Sequence, residues 1–235
     1  MKRRTFLMSS ASFTTLALAG CGGGSSGSSN SPLSPVTTPA DENPETPSPV
    51  ERGTFLHGVA SGDPLDDRLI LWTRVTPDNP TAERLPVEVL VSRFADMSEP
   101  RVLSTEAVAG RDFCVKVDVS GLDSDTWYYY AFVSGDRVSP VGRTRTFPSA
   151  STRVTRARFA TVSCSNLPYG HFSVYNALAK VADRDLDFVL HLGDYLYEYE
   201  PGNYDDPASV PNRVHEPANE IVSLSDYRTR HSQYK

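Results

Sequence analysis

Asp187–Tyr199 reads DFVLHLGDYLYEY. Its apolar run, Phe188–Leu192, is too short for an ordinary helix, and Gly193-Asp194 closes it, so Asp187–Gly193 reads as a buried strand. An acid just past such a strand sits at the strand's carboxyl end, and in open α/β sheets that edge binds ligands. Upstream, Phe159–Ser163 also reads as a strand. Phe172–Asp183 reads as a helix, with Val174, Tyr175, Leu178, Val181 and Ala182 on one face. Strand, helix and parallel strand make a βαβ unit, for which a right-handed crossover is expected. Both strands then end at one edge, and Cys164 and Asp194 lie close together there.

Three side chains at this edge carry chemistry. Asp194 offers a hard anionic oxygen, Tyr197 a phenol and Cys164 a thiol. Together they suit trivalent iron better than magnesium or calcium, which prefer oxygen alone. A strongly Lewis-acidic metal would ionise both the phenol and the thiol. The residues also admit a plainer reading, with Cys164 a small core residue and Tyr197 packing beside Tyr195 and Tyr199.

Before this unit, Thr54–Pro148 is a run of short β-prone segments separated by turn residues. Leu69–Val75, Leu85–Ser92, Trp127–Val133 and Arg143–Phe147 read as strands. Phe113, Val115, Val117 and Val119 alternate with Cys114, Lys116 and Asp118, the period of a half-buried strand. Several short strands of this kind predict an antiparallel sandwich. The spacing of Leu122, Thr126 and Tyr128 resembles the tyrosine corner of fibronectin type III domains, with Ser124 where that pattern usually has Pro.

The chain begins with a basic start, Lys2-Arg3-Arg4, and an apolar run to Gly20, which reads as an export signal over residues 1–20. Arg3-Arg4 with Phe6-Leu7 resembles a twin-arginine signal, with an ordinary secretory signal as the alternative. Leu18-Ala19-Gly20-Cys21 resembles a bacterial lipobox, which would make Cys21 the lipidated mature N-terminus and a membrane anchor. The competing reading is a chance Cys after a plain cleavage site. Gly22–Gly53 is rich in Gly, Ser, Pro and Thr, with too little apolar surface to offset its ordering entropy, so residues 21–53 form a lipidated tether. Formal net charge is -6 over 235 residues. Removing the signal also removes three basic residues and no acid. That balance argues against a nucleic-acid partner, which would need clustered basic charge.

The blocks HGVASGDPLDDRLILWTRVTP, FATVSCSN, GHFSVYNALA, DLDFVLHLGDYLYEYE and LSDYRTRHSQYK together resemble the PhoD-type alkaline phosphatases, relatives of the metallophosphoesterases. The resemblance implies an α+β chain. A fibronectin type III or Ig-like β-sandwich, residues 54–148, is followed by residues 149–235, the first and incomplete half of an α/β metallophosphoesterase-type sandwich. Where most metallophosphoesterases carry D-x-H and G-D-x-x-D, this chain has Cys164 and Gly193-Asp194-Tyr195-Leu196-Tyr197. By resemblance, Cys164 and Tyr197 bind ferric iron (Fe3+). Asp194 bridges the iron to a second divalent metal, calcium (Ca2+). The implied reaction is hydrolysis of phosphate monoesters and diesters outside the cytoplasm, by an exported lipoprotein at the periplasm or cell surface, expected to be a monomer.

Several points stay open at this stage. His191 reads as a satisfied core histidine before a ligand, and His57, His171 and His231 as surface or packing residues. His215 lies in the loop Glu200–Glu220, facing the site or not, and that loop reads as a lid or as an irregular connection. A Cys114–Cys164 disulfide would take Cys164 from the metal, but the two lie in different expected domains. The later G-N-H and H-x-H motifs are not in the sequence, so the chain is expected to be truncated and to have negligible phosphatase activity by itself. The reading from a different class is a surface lipoprotein whose sandwich binds a partner without catalysis.

Overall fold

A computed structural model describes residues 51–203 and 210–235, with the main chain alone at 183–185. The described residues all belong to one compact unit. The export signal, Cys21 and almost all of the tether therefore fall outside the described residues, as does part of the Glu200–Glu220 loop. No described helix is long and apolar enough to cross a membrane.

The strands are β1 (Gly53–Thr54), β2 (Val59–Gly62), β3 (Arg68–Arg74), β4 (Thr76–Pro77), β5 (Arg84–Ser92), β6 (Arg101–Val108), β7 (Cys114–Ser120), β8 (Trp127–Ser134), β9 (Arg137–Val138) and β10 (Gly142–Arg145). They are followed by β11 (Phe159–Val162), helix α1 (Ser173–Asp185), β12 (Phe188–His191) and helix α2 (Leu224–Tyr234). One antiparallel sheet has the order β2-β3-β7 and a second the order β10-β8-β5-β6, with β9 pairing β8. β1 pairs β4 separately.

Alternation drives this layer. Along β5, Leu85, Val87 and Val89 are buried between more exposed neighbours, and Val91 and Ser92 are both buried at its end. Leu69 and Leu71 of β3, Val115 and Val119 of β7, and Tyr128, Tyr130 and Phe132 of β8 meet them in one core. The period of two sends every second side chain inward, and the two sheets close on a shared apolar layer. Pro86 is tolerated in β5 because the pairing with β8 starts only at Glu88, so no ladder bond to β8 is lost there. At Gly142 a Cβ would stand 2.3 Å from the Tyr130 ring, so glycine lets that ring lie across β10. The Tyr128 hydroxyl accepts a hydrogen bond from the Asp123 main-chain N–H at 2.9 Å, the tie expected of a tyrosine corner.

β11 and β12 pair in parallel, Phe159 opposite Phe188 through Val162 opposite His191, with α1 as the crossover. The expectation of a buried second strand is corrected. Val189 and Leu190 are 48% and 43% exposed, and Leu192, just beyond, is 70% exposed. The cause is tertiary: among the described residues the sheet has two strands, and α1 is the helix that crosses over between them. The expected helix face narrows for the same reason. Tyr175, Leu178 and Ala182 are half-buried, whereas Val174 and Val181 are exposed. Phe188 stacks on Phe159 within the pair at 5.1 Å and joins the pair to the sandwich through the Phe147 ring at 5.7 Å. Arg145 adds ion pairs to Asp125 and Asp187.

Candidate metal centre

The parallel register carries past the strand ends. Leu192 N–H donates to Val162 O at 2.8 Å, Cys164 N–H to Gly193 O at 3.2 Å, and Ser165 N–H to Asp194 O at 2.8 Å. The two post-strand loops are thus held side by side, as the βαβ reading expected. Cys164 and Asp194 both take a left-handed backbone, at φ 61° and 51°. That conformation is rare for non-glycine residues, though less so for Asp.

There the three expected residues meet. Cys164 Sγ donates to Asp194 Oδ2 at 3.5 Å, and the Tyr197 hydroxyl donates to the same oxygen at 3.2 Å. Desolvation, then the neighbouring Cys164 and Asp194, push the Tyr197 phenol well above its ordinary value. Without a cation the phenol is therefore neutral and donates its proton in a hydrogen bond to the Asp194 carboxylate. Thiol, phenol and carboxylate converging in this way form a donor set that fits trivalent iron. A metal binding there would displace the two protons now directed at Asp194. Calcium takes six to eight oxygens. Among the described residues no group of three or more His, Cys, Asp or Glu gathers anywhere, so Asp194 is the single carboxylate of the cluster. These residues alone do not make a calcium site.

Cys114 and Cys164 are both free thiols, so the disulfide alternative falls. His191 is engaged in the fold. Its Nδ1 accepts from Gly193 N–H at 3.3 Å, and its Nε2 lies 3.1 Å from the Tyr175 hydroxyl. That hydroxyl also meets Ser165, so the helix, the strand and the Cys164 loop are joined by one polar chain. His215 is buried at 4% exposure and pairs through Nε2 with the Tyr234 hydroxyl at 2.8 Å. His57 lies beside Arg74, and His231 packs against Trp72 and Tyr195, which is the packing role expected for them.

Two residues were missed from the sequence. Arg230 is fully buried and donates to five main-chain carbonyls, those of Tyr197, Tyr199, Glu216, Pro217 and Asn219. Tyr234, one turn later on α2, meets His215 and the N–H of Leu167. The available signal was the capping box Ser223-x-x-Asp226, which fixes the start of α2 and puts Arg230 and Tyr234 four residues apart on one face.

Comparison with known proteins bears on the chain's family. Residues 40–148 match the PhoD-like phosphatase N-terminal domain, and residues 159–235 match the PhoD-like phosphatase family itself. Alkaline phosphatase D of Bacillus subtilis (strain 168) is 36% identical over 197 residues, covering 77% of this chain and 31% of that protein. A solved structure of PhoD superposes with a TM-score of 0.72 at 38% identity, covering 78% of this chain and 35% of that one. The chain thus spans about a third of the length of these relatives. With models of both family domains matched along most of its length, the chain belongs to the PhoD-like phosphatase family.

Proposed function

We propose that Cys164, Asp194 and Tyr197 form the ferric end of a PhoD-type centre that hydrolyses phosphate monoesters and diesters. The observation that carries this reading is the convergence of the Cys164 thiol and the Tyr197 phenol on one oxygen of Asp194. These three residues would hold the iron, which would supply Lewis acidity toward a phosphoryl oxygen. The protein's part is positional. The paired loops set the thiol against the carboxylate. Tyr197, three residues past Asp194, brings a phenol that a cation ionises, so the site charges itself only when metal arrives. The second divalent ion, calcium by family resemblance, would share Asp194 and needs donors beyond these three. The chain alone is expected to hold iron while hydrolysing phosphate diesters at a negligible rate.

In this reading residues 54–148 are a fibronectin type III-like domain, for which the Tyr128–Asp123 bond is the support. Residues 149–235 belong to a metallophosphoesterase-type domain. Residues 1–20 direct export, and Cys21 carries the lipid anchor.

Iron analysis and absorption spectroscopy of the full chain test the centre. The expected result is one iron per chain and a visible phenolate-to-iron band. Tyr197→Phe should abolish the band, and Cys164→Ala should lower iron occupancy at least about tenfold. Colourless, iron-free protein after ferric loading, or a band unchanged in Tyr197→Phe, would refute the assignment.

A further inference from the structure

We propose that Tyr175 and His191 are positioning residues that, with Ser165, close a ring of hydrogen bonds through the loops of Cys164 and Asp194 and so fix the spacing of thiol and carboxylate. The proposal rests on the reading of those two donors as parts of one metal site.

The direction of the ring follows from one main-chain donor. Gly193 N–H can only donate, and His191 Nδ1 accepts it at 3.3 Å. A ring nitrogen that accepts carries no proton, so the imidazole proton sits on Nε2. Nε2 lies 3.1 Å from the Tyr175 hydroxyl and donates to it. The Tyr175 proton is then left for Ser165 Oγ, the other partner of that hydroxyl. Each member gives to the next, and hydrogen bonds in such a series strengthen one another.

The main chain completes the circuit. Ser165 follows Cys164, and Cys164 N–H donates to Gly193 O at 3.2 Å, which returns to the residue where the series began. Gly193 is therefore held by its N–H through His191 and by its C=O through Cys164. Ser165 is held by Oγ through Tyr175 and by its N–H, which donates to Asp194 O at 2.8 Å. The ring thus grips the residue just after Cys164 and the residue just before Asp194. These two donors are the ones with left-handed backbones, a conformation that persists only when the surroundings impose it. Tyr175 imposes it from α1, outside both loops. Its ring packs on Phe172 at 6.0 Å and stacks on His191 at 6.5 Å, which restrains the hydroxyl. Outer hydrogen bonds of this kind orient the donors of a metal.

Tyr175→Phe keeps both ring contacts and removes only the oxygen. Ser165→Ala opens the same ring from the other loop. Both are made in the full chain, singly and together. Without metal, amide hydrogen exchange at Cys164, Ser165 and Gly193 should quicken about tenfold or more in either variant. Leu192, bonded to Val162 in the strand ladder, should stay as it was. After ferric loading, each single variant should bind iron about tenfold more weakly, with the visible band shifted in energy. The double variant should bind no more weakly than either single one, because a ring is opened only once. Nitrogen NMR of the unmutated chain should find the His191 proton on Nε2. Unchanged exchange at Cys164, Ser165 and Gly193, equal quickening at Leu192, multiplied losses in the double variant, or a His191 proton on Nδ1 each overturn the proposal. So does wild-type iron affinity and colour in both single variants. If the unmutated chain takes up no iron, the ferric reading falls. Selective quickening at Cys164, Ser165 and Gly193 then still upholds the ring as the brace of the two loops, and its absence removes it.

Discussion

The sandwich and the segment after it are held together by different physics. In the sandwich, Leu71, Leu85, Val89, Val119 and Phe132 are wholly buried, and apolar contact is the main term. From Phe159 onward, among the described residues, Leu167, Pro168 and Ile221 are the buried apolar side chains, while Ser165, His215 and Arg230 are buried polar ones. Apolar burial is non-directional and tolerates small shifts. Hydrogen bonds to buried groups are directional and costly to leave unmade. A layer that has only to stay folded can rest on the first. A cluster that must hold a thiol, a phenol and a carboxylate at fixed spacing needs the second.

The largest effect expected from testing this contrast is Phe132→Ala. It empties a core position against Phe55 and Tyr130 and should cost about 3–5 kcal/mol of global stability in urea unfolding. A loss under 1 kcal/mol would show that the sandwich does not depend on its apolar layer.

Next comes Arg230→Met, which keeps much of the bulk but strips the donors from five carbonyls. The loss should be about 2–3 kcal/mol and local. Limited proteolysis should cut between residues 197 and 219 while the sandwich transition in urea stays in place. If the sandwich unfolds in parallel, the two regions are not energetically separate.

The smallest effect is a pH dependence where the two regions touch. Burial, then nearby positive groups, lower the affinity of His57 and His231 for a proton; Arg74 is the leading one for His57 and Lys235 for His231. Asp112 opposes this at both rings. The unfolded rings titrate near about 6.5, so the unfolded state binds more protons below that value. Stability from these rings is full above about 6.5 and is lost as pH falls through their depressed folded values. Trp72 lies edge-on to His231, and its fluorescence should report the loosening. The double variant His57→Gln/His231→Gln should flatten the profile.

Legibility follows the same division. β3, β5 and β7 were readable because their apolar side chains alternate. β6 was not: its burial does alternate, with Leu103, Thr105 and Ala107 inward of Val102, Ser104 and Glu106, but a polar Thr and a small Ala at two of the inward places leave little apolar signal. The shared edge of Cys164 and Asp194 was readable because βαβ topology alone forces it. The exposure of Val189 and Leu190 was not, because what covers a strand is settled by neighbours remote in sequence. Arg230 and Tyr234 were hidden in a polar helix, where a charge ordinarily faces water. No local pattern says that this guanidinium is surrounded by carbonyls from two loops.

The left-handed backbones of Cys164 and Asp194 set durability against chemistry. Glycine enters that conformation without strain, whereas a side chain there costs on the order of 1 kcal/mol, less for Asp. A variant library screened by heat would drift toward glycine at both positions and yield a hardier protein stripped of its donors. Only a screen that also rewards metal or turnover would keep them, so these two positions tell thermal selection and functional selection apart.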